Sequence, residues 1–282
     1  MKLQYIGTGA AEGFPGMFCR CEACRRARKA GGHNLKTRSC AMINDQVLID
    51  LSPDLYAQSL ILGLELGKVR DLVVTHTHQD HLDPFFLGLR ARDGATKLPE
   101  IKEEENYLSV YGSTFAEAAV YRALEKEPYS NESRIRFVPV ETGKWFQVGR
   151  LRFCPLKANH KKDELCHIYV VTDESVSLLY ANDTGALSKE TLNMAGGLGL
   201  VFEAVSMDCA RGILPGDGHM GIRENLELKK QLEQMGCTGP GTRYYLNHLS
   251  HMSGVIHDDL QRLMGTEGFT VAYDGMIVDI GR

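Results

Sequence analysis

Thr75-His76-Thr77-His78-Gln79-Asp80-His81 follows the apolar run Leu72-Val73-Val74, and its reading decides the fold. Three imidazoles and a carboxylate stand within six positions, where a buried strand gives way to a turn. Neutral imidazole nitrogen and carboxylate oxygen suit zinc, manganese or iron. His76 and His78 are two residues apart, so in extended chain their side chains point the same way. Asp80 and His81, just past the bend, can face a second ion. A polar turn that happens to be rich in histidine is the ordinary alternative, but it gives no reason for so many ligands at one strand end. The stretch reads as a metal-binding nucleus and as half of a dinuclear one.

Working outward, 282 residues suffice for a substantial core, and 43% hydrophobic with 24% charged residues is the make-up of an ordinary globular protein. A formal net charge of −4 argues against a chain built to coat nucleic acid or an anionic membrane. Met1-Lys2-Leu3-Gln4-Tyr5-Ile6 runs straight into strand-like sequence. No signal peptide precedes it, and no apolar run approaches the ~18 residues that span a bilayer. Eight cysteines in such a chain suggest thiols and metal ligands in a reducing cytoplasm rather than a disulfide framework.

Leu3 to Ile6 reads as a first strand, left through the glycine-rich turn Gly7-Thr8-Gly9-Ala10-Ala11-Glu12-Gly13, whose spacing is not a dinucleotide fingerprint. Cys19-Arg20-Cys21-Glu22-Ala23-Cys24, before a helix-like Arg25 to Ala30, looks like a zinc knuckle at about 17–30 that lacks one ligand. Ala41 to Ile43 and Val47 to Asp50 form a hairpin, and Asp50 either partners a ligand histidine or caps the following turn. Helical patterns cover Leu55 to Leu66, Pro84 to Arg90, Thr114 to Glu125, Ile222 to Met235 and Gly254 to Met264. Strands are expected at Tyr107 to Tyr111, Ile135 to Val140, Leu151 to Leu156, His167 to Thr172, Ser177 to Tyr180, Leu198 to Val205 and from Tyr244, with a terminal hairpin over Phe269 to Ile280 around Asp274-Gly275. Residues 93–106 are polar and acidic and read as a surface insertion. His160, Asp183 and His248 each follow a strand; singly, His160 and Asp183 are more often turn residues than ligands. With no internal repeat and no clear linker, the chain reads as a single α/β domain over 1–282, two sheets packed face to face with helices outside.

His76-x-His78-x-Asp80-His81 followed by His160, Asp183 and His248 resembles the metallo-β-lactamase superfamily over essentially the whole chain. The resemblance implies the four-layer αββα sandwich and two divalent active-site metals. It places His76, His78 and His160 on one metal, Asp80, His81 and His248 on the other, and Asp183 between them. The Gly7-Thr8-Gly9 turn, the cysteine knuckle, Asn247-His248-Leu249-Ser250-His251 and Asp274-Gly275-Met276 are similar to one branch, the phosphoribosyl 1,2-cyclic phosphate phosphodiesterases of the carbon–phosphorus lyase pathway. That branch implies a structural zinc on Cys19, Cys21, Cys24 and His251, and His219 as general acid. Pro215-Gly216-Asp217-Gly218-His219-Met220 departs from the branch's usual wording, as does the acidic 93–106 segment.

The implied chemistry is attack on a small cyclic phosphodiester by hydroxide held between two metals, with Asp80 among the catalytic ligands. His219 near its ordinary pKa would protonate the leaving sugar oxygen. Asp50 and Asp208 are candidates to orient ligand imidazoles, and Arg38 to grip a terminal phosphate. His167 reads as a packed strand residue, His33 and His257 lack supporting partners, and Cys40, Cys154, Cys166, Cys209 and Cys237 read as buried small hydrophobes. A tRNA 3′-processing endonuclease of the same superfamily is one alternative, which would need a basic RNA-gripping arm; a cofactor-biosynthesis protein of the same fold is another. The expected partner is a small phosphorylated substrate, with no membrane or nucleic acid, and a homodimer is left open.

Overall fold

The computed structural model describes residues 1–92, 95–97, 106–126 and 134–281, so the acidic insertion expected at 93–106 lies largely outside the described residues. The first of two seven-stranded sheets holds β1 (Lys2–Gly7), β2 (Cys40–Ile43), β3 (Val47–Ile49), β4 (Asp71–Val73), β5 (Leu108–Gly112) and β6 (Ile135–Pro139). The second holds β7 (Phe146–Val148), β8 (Leu151–Lys157), β9 (His167–Thr172), β10 (Ser177–Ala181), β11 (Ala204–Asp208), β12 (Arg243–Asn247) and β13 (Phe269–Val271); β14 (Ile277–Asp279) returns to pair with β1. Each sheet is antiparallel on one side and parallel on the other: β3 to β6 run parallel, as do β10 to β13.

Each sheet is apolar on both faces, and that dictates the layering. Leu3, Tyr5, Ile43, Val73, Phe153, Tyr169, Tyr180 and Tyr245 meet between the sheets. On the outer face of the first sheet, Leu72, Val74 and Val110 pack on α2 (Leu55–Leu62), α3 (Phe85–Ala91) and α4 (Thr114–Leu124) through Leu55, Leu87, Val120 and Leu124. Outside the second, Leu179, Val205 and Leu246 pack on α5 (Lys189–Gly197), α6 (Ile222–Gln234) and α7 (His257–Gly265), joined by α1 (Glu22–Ala30). The result is the expected αββα sandwich. Among the described residues no helix is long and apolar enough to cross a membrane.

Three expectations are corrected. The apolar stretch 198–205 is not one strand: α5, unforeseen, ends there, Gly199 takes φ 67°, and β11 begins only at Ala204. Leu198 and Leu200 owe their apolarity to packing against the core outside the second sheet, not to a strand. The terminal hairpin is absent, because β13 pairs with β12 and β14 with β1 in the opposite sheet. Asp274, read as a turn residue, instead accepts hydrogen bonds from Thr8 Oγ1 and Thr37 N, both at 2.7 Å, and ties that crossover to the N-terminal loop. Finally, α2 stops at Leu62 because Gly63 adopts the left-handed conformation, φ 66°, and its N–H closes the last turn on Ser59 O.

Candidate metal centre

The candidate ligands collect where strands of both sheets end. The loop after β4 carries residues 76–81, and the loop after β8 carries His160; Asp183, Asp208 and His248 lie at or just past the ends of β10, β11 and β12. Asp50, Asp183 and His248 take φ of 66°, 56° and 59°. A left-handed non-glycine backbone costs on the order of 1 kcal/mol, and such strain persists where the surrounding fold over-determines it.

Two donor groups share Asp183: His76, His78, His160 and Asp183 form one, and Asp80, His81, Asp183 and His248 the other, with the ligand atoms of each group within 4.8 Å of one another. Asp183 Oδ2 lies 3.2 Å from His76 Nε2, 3.0 Å from His81 Nε2 and 3.6 Å from His248 Nε2. His81 Nε2 is 3.2 Å from Asp80 Oδ2, and His160 Nε2 is 3.1 Å from His78 Nδ1. Donor atoms ~2.1 Å from a tetrahedral ion sit about 3.4 Å from each other, so these separations fit. His76 Nε2 and His81 Nε2 are buried without any hydrogen bond, an arrangement a cation satisfies and an apolar core does not. The residues fit two divalent ions.

The outer nitrogens are held, which decides which nitrogen faces inward. Asp50 Oδ2 is 2.7 Å from His81 Nδ1 while Oδ1 accepts from Thr75 N at 2.8 Å, so Asp50 braces a histidine rather than capping a turn. Ser39 Oγ is 2.8 Å from His248 Nδ1, and Thr75 Oγ1 is 3.0 Å from His76 Nδ1. Burial pushes His248 down to about 3 and His160 down to about 4, which keeps both neutral, as ligands must be. Burial would raise Asp80, but His81 beside it outweighs that and holds the carboxyl below its ordinary range.

His219 Nδ1 stands 3.0 Å from Asp208 Oδ2 and 3.1 Å from Asp183 Oδ1. Asp208 is fully buried, and its Oδ1 accepts from Ala210 N and Met220 N, both at 3.0 Å. Burial lifts Asp208 to about 6. The same burial works against charge on His219, but the two carboxylates prevail and push it up to about 10, not the ordinary value expected. Both carboxylates thus favour a proton on His219. A cavity of about 260 Å³ opens here, lined by Glu12, His78, His160, Arg211, His219 and Ser250 among others.

Arg38 is placed differently: its fork is spent on Asp54, Nε to Oδ2 at 2.9 Å and Nη2 to Oδ1 at 2.6 Å, and it does not line this cavity. Cys19, Cys21, Cys24 and His251 do come together, with Cys19 Sγ and Cys21 Sγ each 3.6 Å from His251 Nδ1. Tetrahedral zinc with ~2.3 Å sulfur and ~2.0 Å nitrogen bonds separates such donors by about 3.6 Å. All eight cysteines are free thiols, and Cys40, Cys154, Cys166, Cys209 and Cys237 are buried. His167 is buried in β9 with Nε2 3.0 Å from Thr142 Oγ1. His33 and His257 do have partners: His33 stacks on Tyr273 at 3.6 Å, and His257 Nδ1 lies 3.4 Å from Lys36 Nζ. Sequence reasoning missed Ser39, which carries no local signal, and Glu164, whose only hint was an acid four residues past His160.

A family model described as a beta-lactamase superfamily domain matches residues 45–248, well over half of the chain. The octanoyltransferase of Porphyromonas gingivalis is 27% identical over 164 residues, which cover 57% of this chain and 31% of that protein. The ribonuclease Z of Streptococcus agalactiae is 24% identical over 201 residues, 70% of this chain and 56% of that one. The chain thus spans 31% and 56% of the length of these two relatives. A solved diphosphatase of the PhnP family shares the fold at a TM-score of 0.74 and 19% identity, covering 99% of this chain and 97% of its own.

Proposed function

The chain belongs to the metallo-β-lactamase superfamily of metal-dependent hydrolases, and from that premise we propose that it hydrolyses a small cyclic phosphodiester such as phosphoribosyl 1,2-cyclic phosphate. One observation carries the reading: His219, backed by buried Asp208 at 3.0 Å, stands beside the shared ligand Asp183 in a cavity of about 260 Å³. Two divalent ions, when bound, would activate water and offset the charge of the diester. The residues His76, His78, His160, Asp80, His81, His248 and Asp183 would hold them. Expelling a sugar oxygen from phosphorus leaves an alkoxide unless a proton arrives with bond cleavage. His219 would supply it, and Asp208 fixes the ring through Nδ1 so that Nε2 is the end left for the substrate. The cavity lies below the ~300 Å³ at which drug-sized sites begin, which suits a sugar phosphate.

A kinetic panel of cyclic phosphodiesters, linear diesters, thioesters and lactones tests this. Turnover of the cyclic diesters is expected, and turnover of the carbonyl substrates alone would overturn the reading.

A second reading, an RNA endonuclease, has one observation in its favour. Grooves adjoining His160 are lined by Lys157, Lys161, Lys162 and Arg122. Tight binding of precursor tRNA with a steep salt dependence, and cleavage of it, would put this reading first.

A further inference from the structure

Glu164 lies outside both donor groups, yet its side chain is only 1% exposed. Oε1 accepts from Thr77 N at 2.7 Å, and Oε2 accepts from Thr77 Oγ1 at 2.7 Å and from Lys161 Nζ at 3.0 Å. Thr77 stands between His76 and His78, and Lys161 directly follows His160. One buried carboxylate therefore clasps together the two loops that supply three of the four donors of the His76/His78/His160/Asp183 group.

The two sides of the centre are not braced alike. In the Asp80/His81/Asp183/His248 group every donor residue is buried. There Asp50 and Ser39 grip the outer nitrogens of His81 and His248 at 2.7 and 2.8 Å. In the other group His78 and His160 are partly exposed. His160 Nδ1 lies 3.3 Å from Gly218 O and 3.3 Å from Oδ1 of Asp183, itself a donor of the group. Among the described residues His78 has no ring hydrogen-bond partner but His160. With no contact on those rings as short as the Asp50 and Ser39 braces, their positions depend more on the backbone that carries them, and Glu164 holds that backbone. Ligands must stay within ~0.5 Å of their working geometry to keep a metal bound tightly.

We infer that Glu164 is a positioning residue that sets the metal affinity of the His76/His78/His160 side, and that the ion held there is the more readily exchanged of the two. The inference rests on the dinuclear reading of the donor groups and is independent of the substrate. Its test uses the metal-loaded protein as purified, in wild-type, Glu164→Ala and Glu164→Gln forms. Each is dialysed against graded EDTA, with retained metal counted by elemental analysis and melting followed in parallel. Wild type should release one ion at a lower chelator concentration than the rest. Glu164→Ala should release that ion about 10–100-fold more readily, the range for loss of a partner behind a ligand, with the remaining ions unmoved. Glu164→Gln, whose amide oxygen still accepts from Thr77 N–H, should fall between them. Ions that shift together in Glu164→Ala, or not at all, would overturn the inference alone. Fewer than two ions beyond the cysteine cluster in wild type would overturn the dinuclear reading and this inference with it.

Discussion

Replacing Asp50 by Asn keeps the shape of a fully buried side chain and changes which atom can donate. In the native arrangement Oδ1 accepts from Thr75 N at 2.8 Å and Oδ2 lies 2.7 Å from His81 Nδ1. If the new NH2 faces Thr75, two donors meet and a buried backbone N–H loses its partner, a penalty of about 1–3 kcal/mol. If it faces His81, it donates to Nδ1 and the ring proton moves to Nε2. That nitrogen is the one lying 3.0 Å from Asp183 and 3.2 Å from Asp80, so the ligand lone pair is lost. Either orientation also removes a charge-assisted bond. The expected outcome is a ~10–100-fold loss of affinity for the ion on the His81 side. Melting at saturating metal should fall by about 2 °C per kcal/mol lost. Metal retained against graded chelator, with calorimetry alongside, measures both. An Asp50→Asn protein that keeps both ions at the wild-type chelator concentration and melts at the wild-type temperature would refute the idea that His81 is oriented from outside the site.

His219→Ala should lower turnover by about 10²–10⁴-fold while metal content holds; loss of metal instead would make His219 a ligand with Asp183, Asp208 and His248, a grouping the geometry permits. Cys21→Ser should shed about one zinc per chain and lower the melting temperature, with the active-site ions kept in whatever remains folded; an unchanged melting point together with loss of those ions would contradict a structural zinc. Lys36, fully enclosed and donating to Ala272 O at 2.7 Å, has its pKa pushed down by burial to about 8. The unfolded chain holds that proton up to about pH 10.5, so in this interval it binds more protons than the folded one and wild-type stability gains with rising pH, by about 3 kcal/mol across the whole window. Lys36→Met lacks this contribution, so the stability difference in favour of wild type should widen from about pH 8 to 10.5; a difference independent of pH would refute it.

What could be read from the chain was contiguous or terminal. His76 to His81 announce themselves because four donors lie in one turn, and Cys19, Cys21 and Cys24 because thiols at that spacing share one helix start. The sandwich followed from strand and helix periods alternating in two halves. What could not be read was which distant side chains meet. Nothing local tells Arg38 that Asp54, a helix-start carboxylate sixteen residues on, will occupy its fork. Nothing near Ser39 announces His248. The β13 and β14 strands look like a hairpin because Asp274-Gly275 has turn chemistry, and only the sheet edges at β12 and β1 decide otherwise. The apolar run at 198–205 failed for a related reason: apolarity reports burial, and a loop pressed on a core is as buried as a strand.

The burial of charge explains why this fold needs cations at that place. Asp50, Asp80, Asp183 and Asp208 are at most 5% exposed. Among the described residues the salt-bridge partners of these four are all histidines. Carboxylates taken out of water are tolerated only when paired or ligated, and a neutral imidazole offers direction without charge. His248 and His160 are driven toward the neutral form by burial, so they cannot supply that charge. His219 can, and its raised pKa follows from the two carboxylates it touches. His81 lies between Asp50, Asp80 and Asp183 and is likewise pushed above its ordinary value, yet as a ligand it has to give that proton up. Divalent ions held by the two donor groups would offset Asp80 and Asp183 and leave His81 neutral, with Asp208 the carboxylate left to His219. The ligand set and the histidines around it thus answer one buried excess of negative charge.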